Sequence, residues 1–170
     1  MKKIGLLSDT HGMMSPRVYR FFDDVDEIWH AGDIGTPELA DELAAFKPLR
    51  AVYGNIDGHV LRQMFPENLR FDCEKVDVLI THIGGYPGRY EPRMRKYLQE
   101  APPKLLICGH SHILKVVFDK RLNLLHINPG AAGNKGYHKV CTAIRFEIDG
   151  TEIKNLELLE FERTKFHSTT

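Results

Sequence analysis

The sequence predicts an α/β (α+β) protein built on mixed β-sheets, and two observations carry that prediction. Through the first two-thirds, short apolar runs alternate with amphipathic stretches, the pattern of strand–helix units and parallel pairing. After that, apolar runs follow one another across short polar links such as Asp119-Lys120-Arg121 and Asp149-Gly150. That is the pattern of antiparallel strands, and Asp-Gly is a strong hairpin signal. A length of 170 residues suits one domain spanning 1–170, with a polar tail over 162–170 expected to fray.

Residues 3–7 read as a buried strand. Ser15 as cap and Pro16 in the first turn start a helix that runs to about residue 22. Residues 27–31 form the second strand. Thr36-Pro37-Glu38 opens a second helix, with Leu39, Leu43, Ala44 and Phe46 on one side. A third strand covers 49–53, and a fourth covers 77–81 with a partner at 69–73. Over 90–100, basic and apolar residues alternate at helical spacing until Pro102-Pro103 ends the helix, and 105–108 is the next strand. The remaining strands are read at 116–118, 122–127, 140–148 and 153–159.

Composition excludes several functions. Lys plus Arg and Asp plus Glu are 23 each, so the formal charge is zero and nucleic acid held by bulk charge is disfavoured as a partner. No apolar run approaches the roughly 20 residues of a membrane span. The first apolar run stops at Ser8-Asp9, short of the about 7–15 residues a signal peptide needs, and a cytoplasmic protein is expected. Cys73, Cys108 and Cys141 lie far apart with no C-x-x-C pair, which argues against both a disulfide framework and a thiolate metal site. An edge in the strand-rich C-terminal part offers a surface for pairing with a second copy of the chain.

Histidine is the unusual entry in the composition, with nine residues. Several of them sit where strands end. The five strand ends carry Asp9-Thr10-His11-Gly12, Gly32-Asp33, Gly54-Asn55-Ile56-Asp57, Thr81-His82 and Gly109-His110-Ser111-His112. Parallel strands bring such turns to one edge, where α/β sheets bind ligands. Asp-x-His and His-x-His aim alternate side chains the same way. Imidazole with carboxylate suits borderline divalent ions. Two ions need a bridge, which a carboxylate supplies and an imidazole cannot; Asp33 lies between the two sets. Any one of these residues alone would be an ordinary turn former; the coincidence of seven points to metal.

Asp9-x-His11, Gly32-Asp33, Gly54-Asn55, His82 and Gly109-His110-x-His112, in this order, resemble the calcineurin-like metallophosphoesterases. The compact length, the Gly54-Asn55-Ile56-Asp57 turn and Ile127-Asn128-Pro129-Gly130 are similar to the small bacterial and archaeal phosphodiesterase branch. The resemblance implies a four-layer α/β/β/α sandwich and two divalent metal ions. Mn²⁺ is the first expectation, with Zn²⁺, Ni²⁺ or Fe as alternatives. It places Asp9, His11, Asp33 and His112 on one ion and Asp33, Asn55, His82 and His110 on the other. It further implies a small phosphoester substrate, attacked in line by a hydroxide between the ions. Larger family members carry a histidine after the asparagine that protonates the leaving group. This chain has Ile56 there, which forgoes general-acid help worth roughly 10²–10⁴-fold. Asp57 is either a substitute acid or an orienting group, and the orienting role is preferred. A rival reading is a non-catalytic scaffold, since the metallophosphoesterase-like subunit of retromer also lacks that histidine; the intact ligand set argues against it here.

Other residues are assigned more blandly. His30 is read as a buried, hydrogen-bonded strand residue. His59 and Arg89 are candidates for the substrate rim, with Tyr86 and Tyr90 beside them. Asn128-Pro129-Gly130 is read as a turn between strands, and the resemblance implies that it shapes the pocket. Arg93, Arg95 and Lys96 form a solvated helix face. His126, His138 and His167 are taken as structural or solvated.

Overall fold

The computed structural model describes residues 1–163. Two five-stranded mixed sheets face each other, with helices on their outer surfaces. The chain begins with β1 (Lys2–Leu7), α1 (Pro16–Phe21), β2 (Glu27–His30), α2 (Pro37–Phe46), β3 (Leu49–Ala51) and α3 (His59–Met64). It continues through β4 (Asn68–Cys73), β5 (Val76–Thr81), the two-residue strands β6 (Gly85–Tyr86) and β7 (Arg89–Tyr90), and α4 (Pro92–Glu100). It ends with β8 (Leu105–Ile107), β9 (Leu114–Asp119), β10 (Leu124–Pro129), β11 (Val140–Asp149) and β12 (Glu152–Glu162).

One sheet has the order β12-β11-β1-β2-β3 and the other β4-β5-β8-β10-β9. In each, three neighbouring strands are parallel: β1, β2 and β3 in one, β5, β8 and β10 in the other. Antiparallel strands complete both. Ile4, Leu6, Trp29, Val78, Ile107 and Ile144 belong to the core between the sheets. The first sheet packs outward on α1, α2 and α3 through residues such as Val18, Leu43 and Leu61. The second packs on α4 through Met94 and Leu98. The caps are those read from sequence: the Ser15 hydroxyl accepts from the Arg17 amide and the Thr36 hydroxyl from the Leu39 amide.

Some boundaries differ from expectation. Tyr90 is not helical; it closes the β6–β7 hairpin, and the Glu91 side chain caps α4 by accepting from the Met94 amide. Asn128 and Pro129 are not a turn but the last residues of β10, paired with Lys115 and Leu114. Proline is tolerated there because it sits at the strand's end. The hairpin at residue 150 turns on Gly150 and Thr151, with Gly150 at φ +61 and Asp149 paired to Glu152. Glu162 is not frayed: it pairs with Val140 in β12. Residues 164–170, His167 among them, lie outside the described residues. Among the described residues, no helix is long and apolar enough to cross a membrane.

Candidate metal centre

The turns that follow β1, β2, β3, β5 and β8 meet at one edge of the two sheets. Backbone bonds lace neighbouring turns together: Asp9 N to Gly32 O, His11 N to Asp33 O and Gly109 N to His82 O, each 3.0 Å. Two further bonds cross between the sheets. The His110 amide donates to Asp9 Oδ2 at 3.1 Å, and the His82 Nδ1–H donates to the Ala31 carbonyl at 2.7 Å.

The backbone itself is unusual here. Asp9, His11, Asp33, His110 and His112 all have positive φ, between +50° and +72°. Non-glycine residues seldom adopt this left-handed conformation, and clusters of them occur at functional sites. The glycines answer a different demand. A Cβ on Gly54 would collide with the Asp33 carboxylate, and one on Gly109 would collide with Ser8 Oγ and lie 2.9 Å from Asp9 Oδ2. Each of these glycines leaves room for a carboxylate from another turn.

Two groups of side chains converge in a way that could hold metal ions, Asp9 with His11 and His112, and Asp33 with His82 and His110. In the first, His112 Nε2 lies 3.2 Å from Asp9 Oδ1, and His11 Nε2 lies 4.0 Å from the same oxygen. Asp33 Oδ2 faces both groups, 3.6 Å from His11 Nε2 and 3.3 Å from His82 Nε2. Asn55 Oδ1 faces the second, 3.0 Å from His82 Nε2 and 3.0 Å from His110 Nδ1. The other carboxylate oxygens are committed to protein: Asp9 Oδ2 accepts from Ser8 Oγ at 2.6 Å and Asp33 Oδ1 from the Ile56 amide at 3.0 Å. Among the described residues, Asp9 Oδ1 and His11 Nε2 are buried with no hydrogen-bond partner. Buried polar atoms are rarely left so, and two of them aimed into one space fit a cation between them. The donor set of imidazole, carboxylate and amide oxygen suits a borderline divalent ion.

Burial and neighbouring charges pull the titratable groups of the cluster in different directions. Burial works against the Asp9 carboxylate, yet the facing imidazole of His112, the charge of His82 and the hydrogen bond from Ser8 outweigh it and hold Asp9 below the usual range. Burial also works against a charged His82, and the hydrogen bond to Asp33 and the charges of Asp9 and Asp33 overcome it, raising this histidine. For His11 burial prevails and lowers it despite both carboxylates. Because Nδ1 of His82 donates to Ala31, its Nε2 is the atom left to face the cluster.

Around the cluster, Asp57 is 2% exposed. Its carboxylate accepts three amides, from Gly54 at 2.8 Å, Gly35 at 2.9 Å and Ile34 at 3.2 Å. It thereby ties the Asn55 turn to the Asp33 turn. His30 is fully buried: Nδ1 accepts from the Gly32 amide at 3.0 Å, so Nε2–H donates to Thr10 Oγ1 at 2.9 Å. Burial pulls this histidine down to about 4. Asn128 donates to Gly109 O at 3.0 Å and to Ser111 Oγ at 3.2 Å, which steadies the His110–His112 turn from β10. The β6–β7 hairpin reaches the same turn through Tyr86, whose hydroxyl donates to Ser111 Oγ. Arg89 is exposed on β7, and His59 is exposed at the start of α3.

Two residues were missed. Arg62 donates to Asp57 O at 2.7 Å and to Asn55 O at 3.3 Å while its guanidinium stacks on Tyr53, so it clamps the asparagine turn from α3. His138 stands 3.2 Å from His112, Nδ1 to Nδ1. A cleft of about 650 Å³ opens beside His110 and His112, between Ile113 and Tyr137. A second, of about 320 Å³, opens beside Asn55, His82 and Arg62.

The model of the calcineurin-like phosphoesterase superfamily domain matches residues 1–151. A probable metallophosphoesterase of Methanothermobacter thermautotrophicus is 32% identical over an alignment of 134 residues, with 75% of this chain and 76% of that protein covered. A novel archaeal phosphodiesterase of known structure superposes with a TM-score of 0.70 at 21% identity, covering 92% of this chain and 99% of the other. Wild-type Vps29 complexed with Zn²⁺, from Entamoeba histolytica, gives 0.74 at 15% identity, covering 95% and 99%. The last two likenesses are of fold. By the family match and the 32% relative, the chain belongs to the calcineurin-like phosphoesterase superfamily.

Proposed function

We propose that this protein is a two-metal phosphodiesterase in which Asp9, His11, Asp33 and His112 hold one ion and Asp33, Asn55, His82 and His110 the other. The observation that carries the reading is Asp33 Oδ2, which faces the histidines of both groups at 3.3 and 3.6 Å while its partner oxygen is held by the Ile56 amide. When bound, the two ions would make water acidic enough to deliver a hydroxide to phosphorus and would neutralise the developing charge on the phosphoryl oxygens. Mn²⁺ is the metal we assign first, with Zn²⁺, Ni²⁺ and Fe as alternatives of the same donor preference.

The chain's own residues set the leaving-group preference. Ile56, exposed beside Asn55, has no proton to give. Asp57 spends both carboxylate oxygens on amides, so we give it a positioning role. Arg62 spends its guanidinium on the carbonyls of Asp57 and Asn55. With no acid supplied by these positions, esters of phenol-like alcohols react well and esters of simple alcohols poorly. The assignment to diesters is also in keeping with the fold the chain shares with a novel archaeal phosphodiesterase. The three buried, unpaired cysteines suit a cytoplasmic setting.

The test is hydrolysis of bis-p-nitrophenyl phosphate by protein stripped of metal and then titrated with Mn²⁺. Activity should rise with Mn²⁺, vanish with chelator and be absent in Asp33→Ala; full activity in folded Asp33→Ala overturns the proposal. The scaffold reading keeps one observation in its favour. Edge strand β9 and the residue before it expose Ile113, Val116 and Phe118 at 60%, 43% and 53%. Protein that binds metal yet hydrolyses no diester with Mn²⁺, Zn²⁺, Ni²⁺ or Fe²⁺ would move the assignment there.

A further inference from the structure

His138 lies in the loop between β10 and β11, outside every motif described above. Its Nε2 is 2.7 Å from the Gly133 carbonyl and its Nδ1 is 3.2 Å from His112 Nδ1. The two rings meet edge to face at 82°, with centroids 5.0 Å apart. Gly136 packs beneath the pair at φ +127; a Cβ there would come within 2.5 Å of His112 Nδ1 and 3.1 Å of His138 Nδ1. The loop is thus shaped around both imidazoles.

The direction of this hydrogen-bond chain follows from chemistry. A carbonyl oxygen only accepts, so His138 Nε2 carries a hydrogen. In the neutral ring Nδ1 is then a lone pair. A bond between two Nδ1 atoms needs one hydrogen, which His112 must supply. His112 is left with its lone pair on Nε2, the atom that lies 3.2 Å from Asp9 Oδ1. The Gly133 carbonyl therefore dictates, through two rings, that the His112 nitrogen facing the cluster carries a lone pair.

We propose that His138 is a positioning residue for the metal centre, accepting the Nδ1–H of His112 so that Nε2 is fixed as the ligand atom for the ion shared with Asp9 and His11. This rests on the reading of those three residues as ligands of one ion. Ligating histidines ordinarily find a carboxylate, carbonyl or water for this bond, and loss of such a partner costs about 10–100-fold in metal affinity.

The test uses Zn²⁺, which is diamagnetic, with the full chain at pH 8. Long-range ¹H–¹⁵N spectra should show His112 protonated on Nδ1 and His138 on Nε2. Calorimetric Zn²⁺ titration of His138→Ala should show one of two binding events weakened about 10–100-fold, with circular dichroism unchanged. His138→Gln, whose amide can accept from His112 and donate to Gly133, should recover most of the affinity. A hydrogen on Nδ1 of His138, or unchanged affinity in folded His138→Ala, overturns the proposal while two ions still bind. Wild-type protein that binds no Zn²⁺ would be a different failure, that of the ligand reading itself, and the proposal would fall with it.

Discussion

Replacing Asp57 tests whether a single carboxylate holds two of the metal-site turns in register. Its oxygens accept amides of Gly54, Gly35 and Ile34 at 2.8, 2.9 and 3.2 Å. A hydrogen bond to a charged acceptor contributes about 1.5–3 kcal/mol, and a buried donor left unpaired costs about 1–3 kcal/mol. Three such bonds, one of them long and one partly solvated, put Asp57→Ala at about 3–5 kcal/mol. Against a total stability of about 5–15 kcal/mol, that is a large fraction. At roughly 2 kcal/mol per molar urea, the unfolding midpoint should fall by roughly 1.5–2.5 M. The protein's one tryptophan, Trp29, is fully buried between the sheets and provides the fluorescence signal. Asp57→Asn keeps an oxygen for two of the three amides and should lose only about 1–2 kcal/mol. The same variant separates positioning from proton donation. A positioning role predicts equal loss on aryl and alkyl diesters, whereas an acid predicts loss of roughly 10²–10⁴-fold confined to the alkyl ones. An unfolding midpoint for Asp57→Ala equal to that of wild type would refute the reasoning.

Three further outcomes are expected. His30 titrates at about 4 in the folded chain and near 6.5 when unfolded, so acid favours unfolding: its contribution is complete above pH 6.5 and is lost as pH falls toward 4, by about 3 kcal/mol in all. Urea titrations of metal-free wild type and His30→Gln between pH 7.5 and 4.5 should converge as pH drops, and a constant gap contradicts this. Mn²⁺ at 100 times its Kd should stabilise the protein by about 2.7 kcal/mol, raising Tm by roughly 5–10 °C, and chelator should reverse it; a Tm indifferent to every divalent ion tested argues against the centre. Gly109→Ala forces a methyl group against Ser8 and Asp9 and should cost about 1–3 kcal/mol together with most metal affinity, readable by thermal melts and calorimetry; wild-type affinity would show that the close approach is relaxed without consequence.

What the sequence disclosed followed the strength of its local signals. The strands that carry the ligand turns are apolar runs ending in Gly, Asp or His, and those ends are where the side chains converge. Helix α3 left no periodic trace: it has six residues, buries only Leu61 and starts at Gly58 without a side-chain cap. With it went Arg62. The β6–β7 hairpin was missed because two-residue strands rich in glycine have no alternation to read. His138 could not be found from spacing at all, since its meaning lies in a contact with His112 across 26 positions. Asp57 was legible as either of two roles, and only the three amides around it favour one of them.

The glycines before Asn55 and His110 carry a lesson for transplantation. Each is small because side-chain atoms from a different turn occupy the space its own would take, the Asp33 carboxylate at Gly54 and the Ser8 hydroxyl with the Asp9 carboxylate at Gly109. A protein engineer who copied Gly-Asn or Gly-His-x-His onto another sheet edge would move the letters without the neighbour that gives them shape. The smallest portable unit is the full set of interlocked turns, and drift in any one of them must be matched by its neighbours at the same step.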